Sequence, residues 1–107
     1  MASPRIEMLL GFIEQKPQDP FPRYALALEY KNAARLPEAK EQFDLLIREH
    51  PEYTAGYLHA GNLYVAMGER ATAAKIYRVG IDVCIRRGDA HARGELEGAL
   101  SAIASAE

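Results

Sequence analysis

The chain has 107 residues, a length typical of one small domain. Apolar residues make up 49% of it, which is enough to bury a core and excludes a wholly disordered chain. The formal net charge is −2 with both signs interspersed, which argues against a general polyanion binder or a basic membrane-surface protein. Cys84 is the only cysteine, so an intramolecular disulfide and a secreted cystine scaffold are excluded.

The first residues carry no pattern for export or membrane insertion. The apolar set between Ile6 and Ile13 is interrupted by Glu7 and Gly11, and no small-residue cleavage site follows it. No run approaches the roughly 18 apolar residues that a spanning helix needs. We therefore expect a soluble cytoplasmic protein.

An N-cap residue followed by proline opens each of the first two predicted helices. Ser3-Pro4 begins a leading helix over residues 4–16, with apolar residues at three- and four-residue spacing. Asp19-Pro20 begins the second helix, which we expect to run to about residue 33. The spacing predicts one apolar stripe on the leading helix.

Four more helices are predicted in the remainder of the chain. The third begins at residues 36–38 and stops before Pro51, since the residue ahead of a proline disfavours helix. We expect Thr54 to cap the fourth, and Gly68 to end it in a left-handed conformation. The fifth continues the pattern, and Asp89 caps a last helix with a single apolar stripe.

Residues 20–51 repeat themselves 34 positions later. Small and aromatic residues recur at the same offsets: Leu26-Ala27 and Tyr30 correspond to Ala60-Gly61 and Tyr64, and Ala39 and Phe43 correspond to Ala73 and Tyr77. This period and these residue types resemble the helix–turn–helix repeat of the tetratricopeptide repeat (TPR) family. The resemblance implies an all-α fold, a right-handed α-solenoid of antiparallel helix pairs, here with about six helices.

The repeat register divides the chain, taken as a single TPR domain over residues 1–107. Leu9 falls where Phe43 and Tyr77 fall, so the leading helix reads as the second helix of an incomplete repeat that covers the first full one. Gly61 and Gly80 predict a close approach of two helix backbones. The expected segments are a leading helix at 4–16, repeats at 20–53 and 54–87, and a capping helix at 89–104.

Ala34 occupies the turn position that Gly68 occupies in the second repeat. A positive φ at an alanine costs roughly 1 kcal/mol relative to glycine. One interpretation is a small rearrangement of this turn before Pro37. The other is that the preceding helix runs on past Ala34 and gives a domain-exchanged dimer.

No constellation in the sequence predicts catalysis or a bound ion. The histidines His50, His59 and His91 have no i, i+4 pairing, and Cys84 has no second cysteine at CxxC spacing. The serines lack an evident base, and no glycine-rich phosphate loop is present. We predict no metal, no cofactor and no enzymatic activity.

The family resemblance implies a concave groove lined by the first helix of each repeat. In the family, the second, fifth, ninth and twelfth residues of each repeat typically project into this groove. Asn62 is the side-chain amide that we expect to hydrogen-bond a partner's backbone, both as donor and as acceptor. In this chain the predicted groove residues are Phe21, Tyr24, Leu28, Lys31, Leu58, Asn62 and Val65. The alternative is that Tyr24, Leu28 and Leu58 pack against the end helices.

The family's two-carboxylate clamp for chaperone tails needs a lysine and an asparagine in one repeat, an asparagine in the next, and a lysine and an arginine in the third. Only Asn62 matches. Tyr24 and Leu28 replace the first pair, and Ala92 and Leu96 the third, so we expect no such clamp.

The predicted function is a scaffold that binds a peptide or helix of another protein, which suits an apolar groove. The alternative is self-association, including a domain-swapped dimer. RNA binding is a weaker alternative, because the groove positions carry only one basic residue, Lys31. No nucleic acid or membrane partner is expected.

Overall fold

The computed structural model describes residues 3–105, with side chains through residue 104. All regular structure in this range is α-helical, and the expected number of six helices is confirmed. No helix within it has the length and apolar character needed to cross a membrane. The helices are α1 (Pro4–Gln15), α2 (Pro20–Asn32), α3 (Leu36–Glu49), α4 (Ala55–Ala66), α5 (Arg70–Arg87) and α6 (Ala90–Ser105).

Local capping explains where the first two helices begin. The Ser3 hydroxyl accepts the N–H of Ile6 at 3.1 Å, and the Asp19 carboxylate accepts that of Phe21 at 3.1 Å. Each cap is followed by a proline, which has no N–H to leave unpaired. Thr54 precedes α4 as predicted, but its side chain makes no capping hydrogen bond: its backbone is already helical (φ −62°, ψ −33°). Its hydroxyl instead donates to Asp89 at 2.8 Å.

The chain divides into two compact units, with the boundary between His50 and Pro51. In unit one, α2 packs against both α1 and α3. In unit two, α5 packs against α4 and α6, and α4 also contacts α6. The boundary lies three residues before the predicted limit between the repeats at 53/54.

The residues of the repeat pattern form the core of each unit. Aromatic residues pack among small and aliphatic ones, which excludes water from the helix contacts. In unit one the buried residues include Ile6, Leu9, Leu26, Ala27, Tyr30, Ala39, Phe43 and Leu46. In unit two they include Tyr57, Ala60, Leu63, Tyr64, Ala73, Tyr77, Val83, Cys84 and Leu96.

Side chains of neighbouring helices approach closely at two helical glycines, Gly61 and Gly80. A Cβ atom at Gly61 would overlap the ring of Tyr77. A Cβ at Gly80 would lie 2.6 Å from the Cβ of Tyr57 and 3.0 Å from the Cδ1 of Leu96. The glycines therefore provide the space that seats α4 and α6 against α5.

Ala34 adopts the left-handed conformation of its glycine counterpart. Its φ is 60°, against 80° at Gly68. Each turn is closed by an equivalent hydrogen bond, from Arg35 N–H to Tyr30 O at 2.8 Å and from Glu69 N–H to the Tyr64 carbonyl at 2.8 Å. The turn is neither rearranged nor replaced by a longer helix, since α2 ends at Asn32.

We expect Ala34→Gly to stabilise the protein by about 1 kcal/mol, because glycine reaches a positive φ without the Cβ clash. Gly68→Ala is the matched control and should destabilise it by a similar amount, since open space surrounds a Cβ there and only the backbone changes. Urea unfolding of the three proteins measures both effects. A destabilised Ala34→Gly variant would contradict strain at this turn.

Gly61→Ala should destabilise the protein by about 1–3 kcal/mol, because the new methyl group overlaps the Tyr77 ring. Gly94→Ala on α6 is the control: nothing lies within 4 Å of its Cβ position, so the helix should gain up to about 1 kcal/mol. Thermal unfolding distinguishes the two. Equal stabilisation by both alanines would show that Gly61 provides no necessary space.

Candidate functional site

Four of the predicted groove residues lie along one side of α2 in unit one. Phe21 is exposed over 58% of its surface, whereas Tyr24, Leu28 and Lys31 are half-buried. The Phe21 and Tyr24 ring centroids lie 6.3 Å apart with the planes tilted by 48°. The side of α2 thus offers two neighbouring aromatic rings and an aliphatic side chain, with a cation further along the helix.

Three other predicted residues lie on α4 in unit two, and all are half-buried: Leu58, Asn62 and Val65. Asn62 and Val65 line a shallow pocket of about 280 Å³. Its other walls are Tyr77 of α5 and Ala99, Ala102 and Ile103 of α6. The capping helix therefore forms one wall of this pocket rather than covering Asn62.

The amide of Asn62 is oriented by a hydrogen bond within unit two. Its Oδ1 atom accepts the hydroxyl of Tyr77 at 2.6 Å. Burial raises the pKa of the Tyr77 hydroxyl, so this group stays protonated and can donate. The bond occupies one lone pair of the oxygen and leaves the amide NH₂ group with two donors for a partner.

Tyr77 is absent from the residues that the sequence predicts for the site. The repeat register makes it the equivalent of Phe43, a core aromatic, and both side chains are indeed buried. The hydroxyl is the difference, because phenylalanine has no group that could orient an amide. A tyrosine at this position with an asparagine fifteen residues earlier was the available signal.

A second surface missed by the sequence analysis is a groove of about 490 Å³ between α1 and α2. We call it the α1–α2 groove. Its walls combine apolar residues with the polar residues Arg5, Gln15, Lys16 and Asp19. Phe21 contributes to it, so this predicted residue lines a depression shared with the leading helix. The apolar lining is Met8, Leu9 and Phe12 of α1 and Phe21, Pro22 and Ala25 of α2.

The titratable residues considered for chemistry lie apart in the structure. Within residues 3–105, no three potential ligands of the His, Cys, Asp or Glu types form a metal-binding group. His91 lies 3.5 Å from Glu95 on the exposed side of α6. Cys84 is buried, and burial raises the pKa of its thiol, as expected for a small core residue.

Asp89 connects the N-terminal ends of α4 and α6. Its Oδ1 atom accepts the N–H of Ala92 at 3.1 Å, and its Oδ2 atom accepts the Thr54 hydroxyl at 2.8 Å. The Ala92 N–H lowers the pKa of this carboxyl most, and the Thr54 hydroxyl adds to the effect. The charged carboxylate thus links α4 and α6, two of the helices that line the Asn62 pocket, at their N-terminal ends.

We expect Asp89 to make stability depend on acidic pH. Its folded-state pKa lies below the ordinary value of 3.8, so its contribution is full above pH 3.8 and is lost as the pH falls through the folded value. Asp89→Asn retains a cap acceptor without charge and serves as the comparison. Urea unfolding should show a stability difference at pH 7 that shrinks below pH 3.8. A gap that widens in acid would contradict this assignment.

The fold is similar to several solved structures. A TPR domain protein from Salinibacter ruber, solved by NMR, is 33% identical with a TM-score of 0.82, covering 86% of this chain and 93% of that one. A crystal structure of the Salinibacter ruber TPR domain protein has 32% identity and a TM-score of 0.79, covering 83% and 99%.

The TPR2B domain of yeast Sti1, solved in a complex with pHsp70, has a TM-score of 0.87 at 15% identity. It covers 95% of this chain and 82% of that one. At this identity the likeness concerns the fold alone. No family model and no curated protein matches the chain.

Proposed function

The chain belongs to the tetratricopeptide repeat family, and we propose that it is a non-catalytic module that binds a peptide or helix of a partner protein. The proposed contacts are the predicted residues on α2 and on α4. The oriented amide of Asn62, set between Val65 and the side chains of α6, is the observation that carries the proposal. It offers fixed donors in an apolar setting, where a hydrogen bond discriminates between ligands most strongly.

The composition of the α2 surface and of the α4 surface indicates the kind of partner. On α2, Phe21, Tyr24 and Leu28 provide aromatic and aliphatic contact area, which is typical of surfaces that receive the apolar stripe of a helix. On α4, the amide NH₂ of Asn62 suits a backbone carbonyl or a side-chain acceptor. Lys31 adds one cation at the far end of the α2 series, so an acidic residue in the partner is favoured there.

Binding of a chaperone C-terminal tail through its carboxylate is disfavoured for this chain. The yeast TPR2B structure is a complex with pHsp70, but Tyr24 and Leu28 stand where the clamp needs a lysine and an asparagine. Leu96, at one of the third-register positions, is fully buried within unit two. These positions therefore supply no cation to bind a carboxylate.

We expect a Tyr24→Ala/Asn62→Ala double variant to lose at least one specific protein that the wild type captures in an affinity pull-down. The reason is the simultaneous removal of an aromatic contact and the oriented amide. Quantitative mass spectrometry of the two captured sets is the measurement. Identical sets would contradict the proposed surfaces.

Two control variants separate binding from stability. Tyr77→Phe removes the hydrogen bond to Asn62 but keeps the amide, so it reports the effect of that bond alone. Val79→Ala removes an apolar side chain of α5 that is 50% exposed and lies outside both proposed surfaces. The Val79→Ala variant should capture the same proteins as the wild type.

A further inference from the structure

The α1–α2 groove lies where each complete repeat places another helix. In the second repeat, Ala73, Tyr77 and Gly80 of α5 are all buried. In the first repeat, the same positions on α3 are Ala39, Phe43 and Leu46, and these are buried as well. Both series are covered by the first helix of their own repeat, α4 and α2 respectively.

On α1 these positions are Arg5, Leu9 and Phe12, and two of them lack a cover. Leu9 is buried, but Phe12 is 46% exposed and the Arg5 side chain is 59% exposed. No first helix precedes α1 within the described residues. The apolar surface left over is therefore shaped for one additional helix.

Unit two shows how such a helix would lie. There α4 packs on α5 and also contacts α6, and Tyr57 of α4 and Leu96 of α6 both lie beside Gly80 of α5. In unit one, α1 and α2 follow each other as α5 and α6 do, and Phe12 stands at the position of Gly80. The α1–α2 groove corresponds to the place that α4 takes in unit two.

We propose that the α1–α2 groove binds a single amphipathic helix of a partner protein that carries an acidic residue at each end of its apolar stripe. This surface differs from the α2 and α4 surfaces of the proposed function, and the inference does not rest on that function. Phe21, which is 58% exposed, lines this groove and contributes to both surfaces.

Charge complementarity defines the ends of the partner helix. Arg5 lines one end of the groove and Lys16 the other, eleven positions apart in sequence. Arg5 bonds Glu29 through Nε at 3.0 Å, which uses one of its five N–H donors. Lys16 has no ion pair with any residue in the range 3–105. Asp19, at the same end of the groove, accepts the Phe21 N–H through Oδ1.

Residues at i, i+4, i+7 and i+11 share one side of a helix. A partner helix with acidic residues at i and i+11 and large apolar residues at i+4 and i+7 thus matches the groove. The apolar pair would meet Met8 and Phe12, and the two acids would meet Arg5 and Lys16. The groove follows α1, whose 12 residues span about 18 Å, so some three turns of the partner are held.

A second copy of this chain is a poorer occupant. Pairing α1 with its own copy in the antiparallel sense brings Arg5 of one protomer towards Lys16 of the other, and like charges repel. The groove has ten lining residues, whereas a stable dimer buries about 20–30 residues on each side. The exposed side of α6 carries the Arg93–Glu97 and His91–Glu95 pairs, which are costly to bury against an apolar groove.

The test uses a synthetic fluorescent peptide of about 18 residues, long enough to form a helix. It has glutamates at i and i+11 and leucines at i+4 and i+7 in an alanine and glutamine background. A matched peptide carries lysines in place of the glutamates. Fluorescence anisotropy should show saturable binding of the glutamate peptide, at least about tenfold tighter than the lysine peptide. No saturation below about 100 µM would overturn the inference.

Phe12→Ala should weaken binding of the glutamate peptide at least about tenfold, because it removes the central apolar contact. Leu10→Ala is the control: Leu10 is 44% exposed on the same helix but does not line the groove, so affinity should stay within about twofold. Lys16→Glu should weaken the glutamate peptide and strengthen the lysine peptide. Equal losses of affinity in the Phe12→Ala and Leu10→Ala variants would overturn the proposal.

Three controls complete the test. Circular dichroism checks that each variant is folded, and Lys16→Glu, a surface change, keeps the test valid if Phe12→Ala unfolds. A stable dimer that Phe12→Ala dissociates, seen by light scattering, would assign the groove to a second copy and overturn the proposal.

The Tyr24→Ala/Asn62→Ala variant should bind the peptide as the wild type does. Loss of binding there would place the peptide on the other surfaces.

Discussion

The packing of one aromatic ring per repeat against small residues is the constraint on which the structure depends. Tyr77 is buried against Gly61, where even a methyl group would overlap the ring. Ala27 and Phe43 hold the same repeat positions in unit one and are fully buried there. A large residue at either small position would separate the two helices of that repeat, since packed interiors have no free volume to absorb it.

Those features of the fold that depend on neighbouring residues could be predicted from the sequence. The Ser3 and Asp19 caps, each followed by proline, set the starts of α1 and α2, and repeat spacing correctly gave six helices. Features decided by distant partners could not. The Thr54 hydroxyl bonds Asp89, 35 residues away. Ala34 keeps a left-handed turn that alanine itself disfavours, between two helices that pack against each other.

The candidate site was predictable to a similar extent. The register indicated which side of α2 and α4 carries Tyr24, Leu28 and Asn62, because a helix fixes the direction of each side chain. It did not indicate what those side chains meet. Asn62 bonds a core tyrosine, and Phe21 faces α1 across a groove, because both neighbours come from helices whose positions depend on tertiary packing.

The first and last helices differ in the surfaces that they leave uncovered. The exposed side of α6 carries the charged pairs Arg93–Glu97 and His91–Glu95, which are well solvated in water. The uncovered side of α1 carries Met8 and Phe12, which gain free energy when removed from water. A helix that only protected a repeat end from solvent would be polar on its outer side, as α6 is. The apolar residues on α1 therefore argue that this helix does more than cap unit one.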